Sequence, residues 1–429
     1  MEIKRDTYLK KITSLMWNGQ VKIITGIRRC GKSYLLKNLF RRYLLESGVP
    51  DENILIIELD DIEQIKYRNP LKLSAYVMEW MKKVPGKRYL FIDEIQMSDK
   101  VKNPHSPDGA KITFYDALNG FLHRDDLDVY ITGSNSKMLS SDIKTEFRGR
   151  GDEVRIHPLS FAEYLSAVDQ DKRDAFDDYM RFGGMPFSLS YSEKTAKEAY
   201  LKNLIDEVYL KDIVERCKIE RPDVMGKIID YLCSTIGSLT NPNNIASALS
   251  REEKSPATVK TIAAYIDHLE DAYLFSEAKR YDIKGHTYFD YPQKYYCEDI
   301  GLRNARCGFR QQEETHIMEN IIYNELVRRG YSVDVGVVTS YERNKQGHQV
   351  RNVREIDFVV NCSGERLYIQ SAYALPTEEK RNAEIKPFSL TGDSFRKIII
   401  RKDVGEKWFD ENGIMNLSIY DFLLDPETI

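Results

Sequence analysis

Across the first 165 positions, short apolar runs alternate with stretches in which apolar residues recur every three or four places. Val21–Thr25 is β-branched apart from Lys22, and runs near 53–59, 88–93, 128–133 and 153–157 repeat its character. A short, nearly continuous apolar run between polar turns reads as a buried strand. Residues 33–45, 71–84 and 112–123 instead carry their apolar positions at helical spacing. Strands that alternate with helices predict a parallel sheet covered on both faces. The pattern then changes. Residues 160–220 are helical throughout, interrupted at Phe182-Gly183-Gly184-Met185-Pro186, where two glycines and a proline break the period.

Residues 221–290 have the rhythm of a winged helix. A short helix at 244–249 precedes Ser255-Pro256, a cap and first-turn residue for a second helix. Val259, Ile262, Ala263, Ile266 and Leu269 form the apolar stripe of that helix, and Lys279, Arg280, Tyr281 and Lys284 flank a predicted wing. Its outer face offers Lys260 but also Asp267, Glu270 and Asp271. The spacing therefore supports the fold better than base reading by this helix. From 291 onward an α/β pattern returns, with a helix at 315–329 and strands at 332–338, 355–360, 366–372 and 396–400. Four modules are expected: 1–165, 166–220, 221–290 and 291–429.

The sharpest chemical signal follows the first strand. Gly26-Ile27-Arg28-Arg29-Cys30-Gly31-Lys32-Ser33 is a complete phosphate-binding loop, with Tyr34 opening the helix behind it. The glycines let backbone N–H groups turn inward around a phosphate. Lys32 brings a point charge to the β- and γ-phosphates, and the Ser33 hydroxyl joins the shell of Mg²⁺. The helix N-terminus faces the same anion. The run 88–93 then ends in two adjacent acids, Asp93 and Glu94. Asp93 is placed to hold the water shell of the metal, and Glu94 to polarise a water for in-line attack on the γ-phosphate. The strand near 128–133 ends at Ser134 and Asn135, either of which is placed to bond the attacking water, although Ser-Asn is also an ordinary turn. Arg148 and Arg150 precede the strand near 153–157. An arginine there either reaches a neighbouring subunit's nucleotide or pairs with local acids such as Glu146 and Asp152.

On these residues the chain resembles a prokaryotic AAA+ family of ATPases whose ATPase module is followed by a domain related to PD-(D/E)xK nucleases. The resemblance rests on Thr25 through Ser33, Phe91-Ile92-Asp93-Glu94-Ile95-Gln96, Ile131-Thr132-Gly133-Ser134, Gly149-Arg150 and His157-Pro158-Leu159-Ser160-Phe161. It continues through 182–186, 209–214, Tyr295-Tyr296, Asp299-Ile300-Gly301-Leu302, 355–359 and 368–370, in order and end to end. It implies the AAA+ strand order, a helical lid over 166–220, and a break at 182–186 near the nucleotide. There Arg181 is either a second arginine sensor or part of a plain turn. It also implies that Glu319, Asp357 and Gln370 stand where such nucleases keep metal-binding acids and their equivalent. The expected lysine position is Ala372, which neither activates water nor stabilises charge, so cutting of nucleic acid is not expected. The expectation is an oligomeric ATPase that uses ATP and Mg²⁺ to remodel DNA or a nucleoprotein complex. An ATP-dependent signalling or defence switch and an ATP-regulated nuclease are the alternatives.

Composition sets limits. The chain has 429 residues, too many for one core, with 63 basic and 67 acidic residues for a net charge of −4. No global field draws it to nucleic acid or an anionic membrane, so any basic surface is local. No stretch approaches the apolar length of a membrane span, and the N-terminus has no signal-type run. The six cysteines never form a Cys-x-x-Cys pair, which suits reduced thiols in a cytoplasmic protein.

Overall fold

The computed structural model describes residues 3–104, 106, 109–134, 150–251, 257–310, 313–343, 348–362 and 364–429. Asn135 and Arg148 lie outside the described residues. Contacts divide the chain into two compact units, residues 2–158 with 271–273, and residues 159–270 with 274–429.

The first unit holds five parallel strands: β1 (Val21–Thr25), β2 (Ile54–Glu58), β3 (Arg88–Asp93), β4 (Leu127–Thr132) and β5 (Gly151–Arg155). Their order is β2-β3-β4-β1-β5. Every residue of β1, β3 and β4 is buried, as expected where helices cover both faces of a parallel sheet. Val21, Ile23, Leu90, Ile92, Val129 and Ile131 pack against Leu73, Val77, Leu118 and Phe121 from flanking helices. Local chemistry sets the helix ends. Asn69 accepts from the Leu71 and Lys72 N–H groups ahead of helix Pro70–Lys83, and Thr113 with Asp116 forms a capping box for helix Phe114–Leu122. The helix behind the phosphate loop does not stay α-helical. Its middle, Leu35–Phe40, is π-helical, and the wider winding puts Leu35 and Phe40, five apart, on one buried face.

The second unit starts with the helices expected over 160–220, among them Phe161–Ala167, Lys172–Phe182 and Lys194–Asn203. Helices Pro222–Ser234, Pro242–Leu249 and Val259–Asp271 follow, and then an antiparallel hairpin of β6 (Phe275–Asp282) and β7 (Thr287–Cys297). This hairpin does not stand apart as a wing. β6 lies parallel to β8 (Ser332–Arg343), within a mixed sheet completed by β9 (Gln349–Cys362), β10 (Glu365–Ala372), β11 (Arg396–Arg401), β12 (Trp408–Phe409) and β13 (Met415–Ser418). The order is β12-β13-β11-β10-β9-β8-β6-β7. The boundary expected between 290 and 291 falls inside β7, and the one between 165 and 166 inside helix Phe161–Ala167. Helix Glu314–Arg328 buries Ile317, Met318, Ile321, Ile322 and Leu326 against Phe358, Val360, Ile369 and Ile398.

Two sequence motifs prove to be halves of one joint. The Gly184 N–H donates to Asp299 Oδ2 at 2.7 Å. A Cβ on Gly183 (φ +68°) would lie 2.3 Å from Asp299 Oδ1, and one on Gly301 would lie 2.0 Å from the Phe182 carbonyl oxygen. Asp299 also accepts from the Leu302 N–H and so caps helix Ile300–Arg306. Burial pushes its carboxyl up to about 6, against the opposing pull of these backbone N–H groups. Arg181, beside the joint, directs Nη2 to Glu198 at 2.6 Å and stands over the Phe309 ring.

Candidate nucleotide site

The site lies at the carboxyl ends of β1, β3 and β4, where each strand hands its chain to a loop. Gly26 has φ +134°, and a Cβ there would meet the Ile156 carbonyl oxygen at 2.1 Å, so only glycine fits between loop and strand. Gly31, at φ +103°, caps the helix that starts at Lys32. Ile27 and Cys30 are fully buried beneath the loop. Cys30 Sγ contacts the Ile156 carbonyl at 3.4 Å, which makes it a space-filler under the turn. Arg28 is half-buried, and Arg29 and Tyr34 are exposed on the rim. Lys32 curls over the loop, its Nζ donating to the carbonyls of Gly26 at 2.9 Å and Ile27 at 3.0 Å.

Ser33 Oγ donates to Asp93 Oδ1 at 2.9 Å, which joins the two residues expected to serve the metal. Thr132 also donates its hydroxyl to Asp93 and accepts the Glu94 N–H at 2.9 Å. Glu94 has a left-handed backbone, φ +53°, a conformation that non-glycine residues adopt sparingly and that clusters at functional sites. Gln96 donates Nε2 to the Glu94 carboxylate and to Ser134 Oγ, the latter at 3.3 Å. Ser134 is buried. The expected base and the expected sensor thus share one amide.

Three residues in this site escaped the sequence reading. Lys37, one turn beyond Ser33, places Nζ 3.2 Å from Asp93 Oδ2 and 2.7 Å from Glu58 Oε1. Burial works against its charge, but the Glu58 hydrogen bond and the two carboxylate charges outweigh it and hold its pKa above the usual value. Glu58 ends β2 and stands in register with Asp93. An acid closing the strand beside an Asp-Glu pair was the available signal. Arg5, the third, lies outside every motif. Its guanidinium is buried, donates to the Cys30 carbonyl at 3.1 Å and the His157 carbonyl at 2.7 Å, and so ties the loop to the end of β5.

Arg150 does not join this group. Its carbonyl accepts the Val21 N–H at 3.2 Å, at the amino end of β1, while the phosphate loop leaves the carboxyl end. A strand rises about 3.3 Å per residue, so roughly 13 Å separates the two edges.

In the second unit, Glu319, Asp357 and Gln370 do come together, around a cation from an unexpected strand. Ala372 is buried and carries no charge, as expected. Lys294 on β7 supplies the ammonium instead, with Nζ 2.9 Å from Glu319, 2.6 Å from Glu355 and 3.7 Å from Asp357. Gln370 Oε1 accepts the Asp357 N–H at 2.6 Å, and its Nε2 donates to Glu384 at 2.8 Å. Burial and the Glu319 charge push the Asp357 carboxyl well up. Burial would also raise Glu319, but the Lys294 charge and the Tyr296 hydroxyl keep it below its usual value. Among the described residues no group of three or more His, Cys, Asp or Glu is arranged to hold a metal ion. Nor, among them, is any helix long and apolar enough to cross a membrane.

The phosphate loop, the acid-ended β3 and the five-strand parallel order define a P-loop ATPase fold of the AAA type. Comparison with known proteins agrees. Residues 18–165 match an AAA domain family, and residues 173–313 match a domain of unknown function. An uncharacterized protein of Haemophilus influenzae is 32% identical over 430 residues, covering 98% of this chain and 98% of its own length. The chain belongs to the same protein family as that relative. An uncharacterized protein of Methanocaldococcus jannaschii is 25% identical, covering 90% of this chain and 80% of its own. Among solved structures, a Walker-type ATPase of Pyrococcus abyssi is similar at TM-score 0.49 and 14% identity, covering 71% of this chain and 96% of that one. The Aeropyrum pernix Orc1 protein in complex with DNA gives TM-score 0.28 and 11% identity, covering 72% and 93%.

Proposed function

We propose that the protein hydrolyses ATP with Mg²⁺ and uses the cycle, as an oligomer, to remodel DNA or a nucleoprotein complex. The carrying observation is the convergence of Lys32, Ser33, Asp93 and Glu94 at one edge of the sheet, with Ser33 and Asp93 in direct contact. The residues suit the metal, because a hydroxyl and a carboxylate face each other at the end of the phosphate loop. Mg²⁺ would be held by Ser33 and, through water, by Asp93, and its charge would offset that of the phosphates. Lys32 leaves the carbonyls of Gly26 and Ile27 for the β- and γ-phosphate oxygens. Glu94, oriented by Gln96, takes the proton of the attacking water as its oxygen bonds the γ-phosphorus and the bond to the β,γ-bridging oxygen breaks, leaving ADP and phosphate. Ser134, which shares the Gln96 amide with Glu94, orients that water with it.

The position of Arg150 supports an oligomer. Its backbone stands at the amino end of β1, the opposite edge of the sheet from the phosphate loop, so a role as arginine finger would be one between subunits. Arg148, in the neighbouring segment, is the other candidate for that role. The cluster around Lys294 reads as structural. Its carboxylates already hold an internal cation, and plasmid cleavage in Mg²⁺ or Mn²⁺ that disappears in Asp357→Ala would contradict this. The proposal as a whole is tested by the ATPase rate with and without single- and double-stranded DNA, with mass measured at the same concentration. Turnover stimulated by DNA in an assembled species supports it. Tight nucleotide retention with near-zero turnover would favour a switch acting through protein partners.

A further inference from the structure

β8 and β9 outrun the sheet that holds them. β8 pairs with β6 only at 335–337, and β9 with β10 only at 358–362. Beyond these limits six cross-strand pairs, from Val338 with Arg354 to Arg343 with Gln349, form a ribbon of two strands. Such a ribbon is marginal in water by itself. Residues directly opposed in an antiparallel pair share a face. Thr339 with Val353, Tyr341 with Arg351, and Arg343 with Gln349 therefore line one face, while at the base Val338 is buried on the other. Tyr341 is 63% exposed and Val353 50%, and Arg343, Gln349 and Arg351 are exposed as well.

We propose that this ribbon face docks in the major groove of double-stranded DNA. The inference rests on the reading of the chain as one that acts on nucleic acid, and it moves the contact from the helical module to the ribbon. The groove is about 12 Å wide and admits a two-stranded ribbon. The chemistry of the face is complementary to it: guanidinium forks address guanine edges or phosphates, the Gln349 amide addresses adenine, and Val353 offers an apolar contact for a thymine methyl. The charge is local. The proposed face carries Arg343 and Arg351 in a chain of net charge −4, and the nearby acid Glu355 is held by Lys294 at 2.6 Å.

The test is fluorescence anisotropy of a short mixed-sequence DNA duplex with the full-length protein over a range of salt. Arg343→Ala with Arg351→Ala is expected to weaken binding roughly a hundredfold and to reduce the salt slope by about 2. Thermal unfolding serves as the folding control, and Arg343→Lys with Arg351→Lys, which keeps the charge, is expected to retain the salt slope. Duplex binding unchanged in the alanine variant would overturn the ribbon while leaving action on nucleic acid intact. A wild-type protein that binds no duplex, with or without ATP, would overturn both. Arginines on an exposed strand also discourage pairing with another chain. If the alanine variant changes self-association in sedimentation and leaves DNA binding alone, the ribbon is a contact between copies and the proposal fails.

Discussion

Lys294→Met removes the ammonium that Glu319, Glu355 and Asp357 share. The side chain is 4% exposed, with Nζ within 2.9 Å of Glu319 and 2.6 Å of Glu355. The Glu319 side chain is 6% exposed and that of Asp357 16%. Breaking a buried ion pair from one side costs about 3–5 kcal/mol, because the remaining charge stays buried without compensation. In a unit of this size that corresponds to a fall in melting temperature on the order of 10 °C. The sign with pH follows from the two acids. Glu319, held below its usual value by Lys294, contributes stability above the unfolded carboxylate range, and this is lost as pH falls through its lower folded pKa. Without Lys294 its folded pKa rises, joining Asp357, whose carboxyl burial already pushes up. Both then favour the neutral form, so the variant's deficit is largest near pH 8 and shrinks as pH falls toward 5. Thermal melts of wild type and variant across that range measure it. A variant as stable as wild type at pH 8, or a deficit that grows on acidification, would refute the reasoning.

Gly301→Ala places a methyl 2.0 Å from the Phe182 carbonyl oxygen; backbone cannot yield as a side chain would, so a loss of about 3 kcal/mol or more is expected in denaturant melts. Gln96→Ala frees the Glu94 carboxylate from its amide partner, so steady-state kinetics should show turnover reduced by roughly tenfold with KM for ATP nearly unchanged.

Much of the first unit was legible in the sequence because β1, β3 and β4 are buried throughout and so read as continuous apolar runs, and they lie where 21–25, 88–93 and 128–133 placed them, to within a residue. The phosphate loop was legible because backbone geometry restricts the residue types there. Lys37 and Glu58 were not, since each reads as an ordinary polar residue until the fold brings it to Asp93, and Arg5 lies outside every motif. The π-helical turn at Leu35–Phe40 left no periodic mark distinct from an α-helix. In the second unit, Lys294 was missed because it belongs to a strand remote in sequence from Asp357. The ribbon was missed because its solvent-facing strands, around Thr339-Ser340 and Arg351-Asn352, lack the apolar alternation that marks a half-buried strand.

The central claim, that Glu94 is the base of an ATP-hydrolysing site built on Lys32, Ser33 and Asp93, is tested most directly by Glu94→Gln. The amide keeps the side-chain shape and leaves Ser33 in contact with Asp93, but it no longer takes a proton from water. ATP affinity by calorimetry should stay within about twofold of wild type, while single-turnover hydrolysis falls by roughly a hundredfold or more. Hydrolysis at the wild-type rate in the Glu94→Gln protein would contradict the assignment.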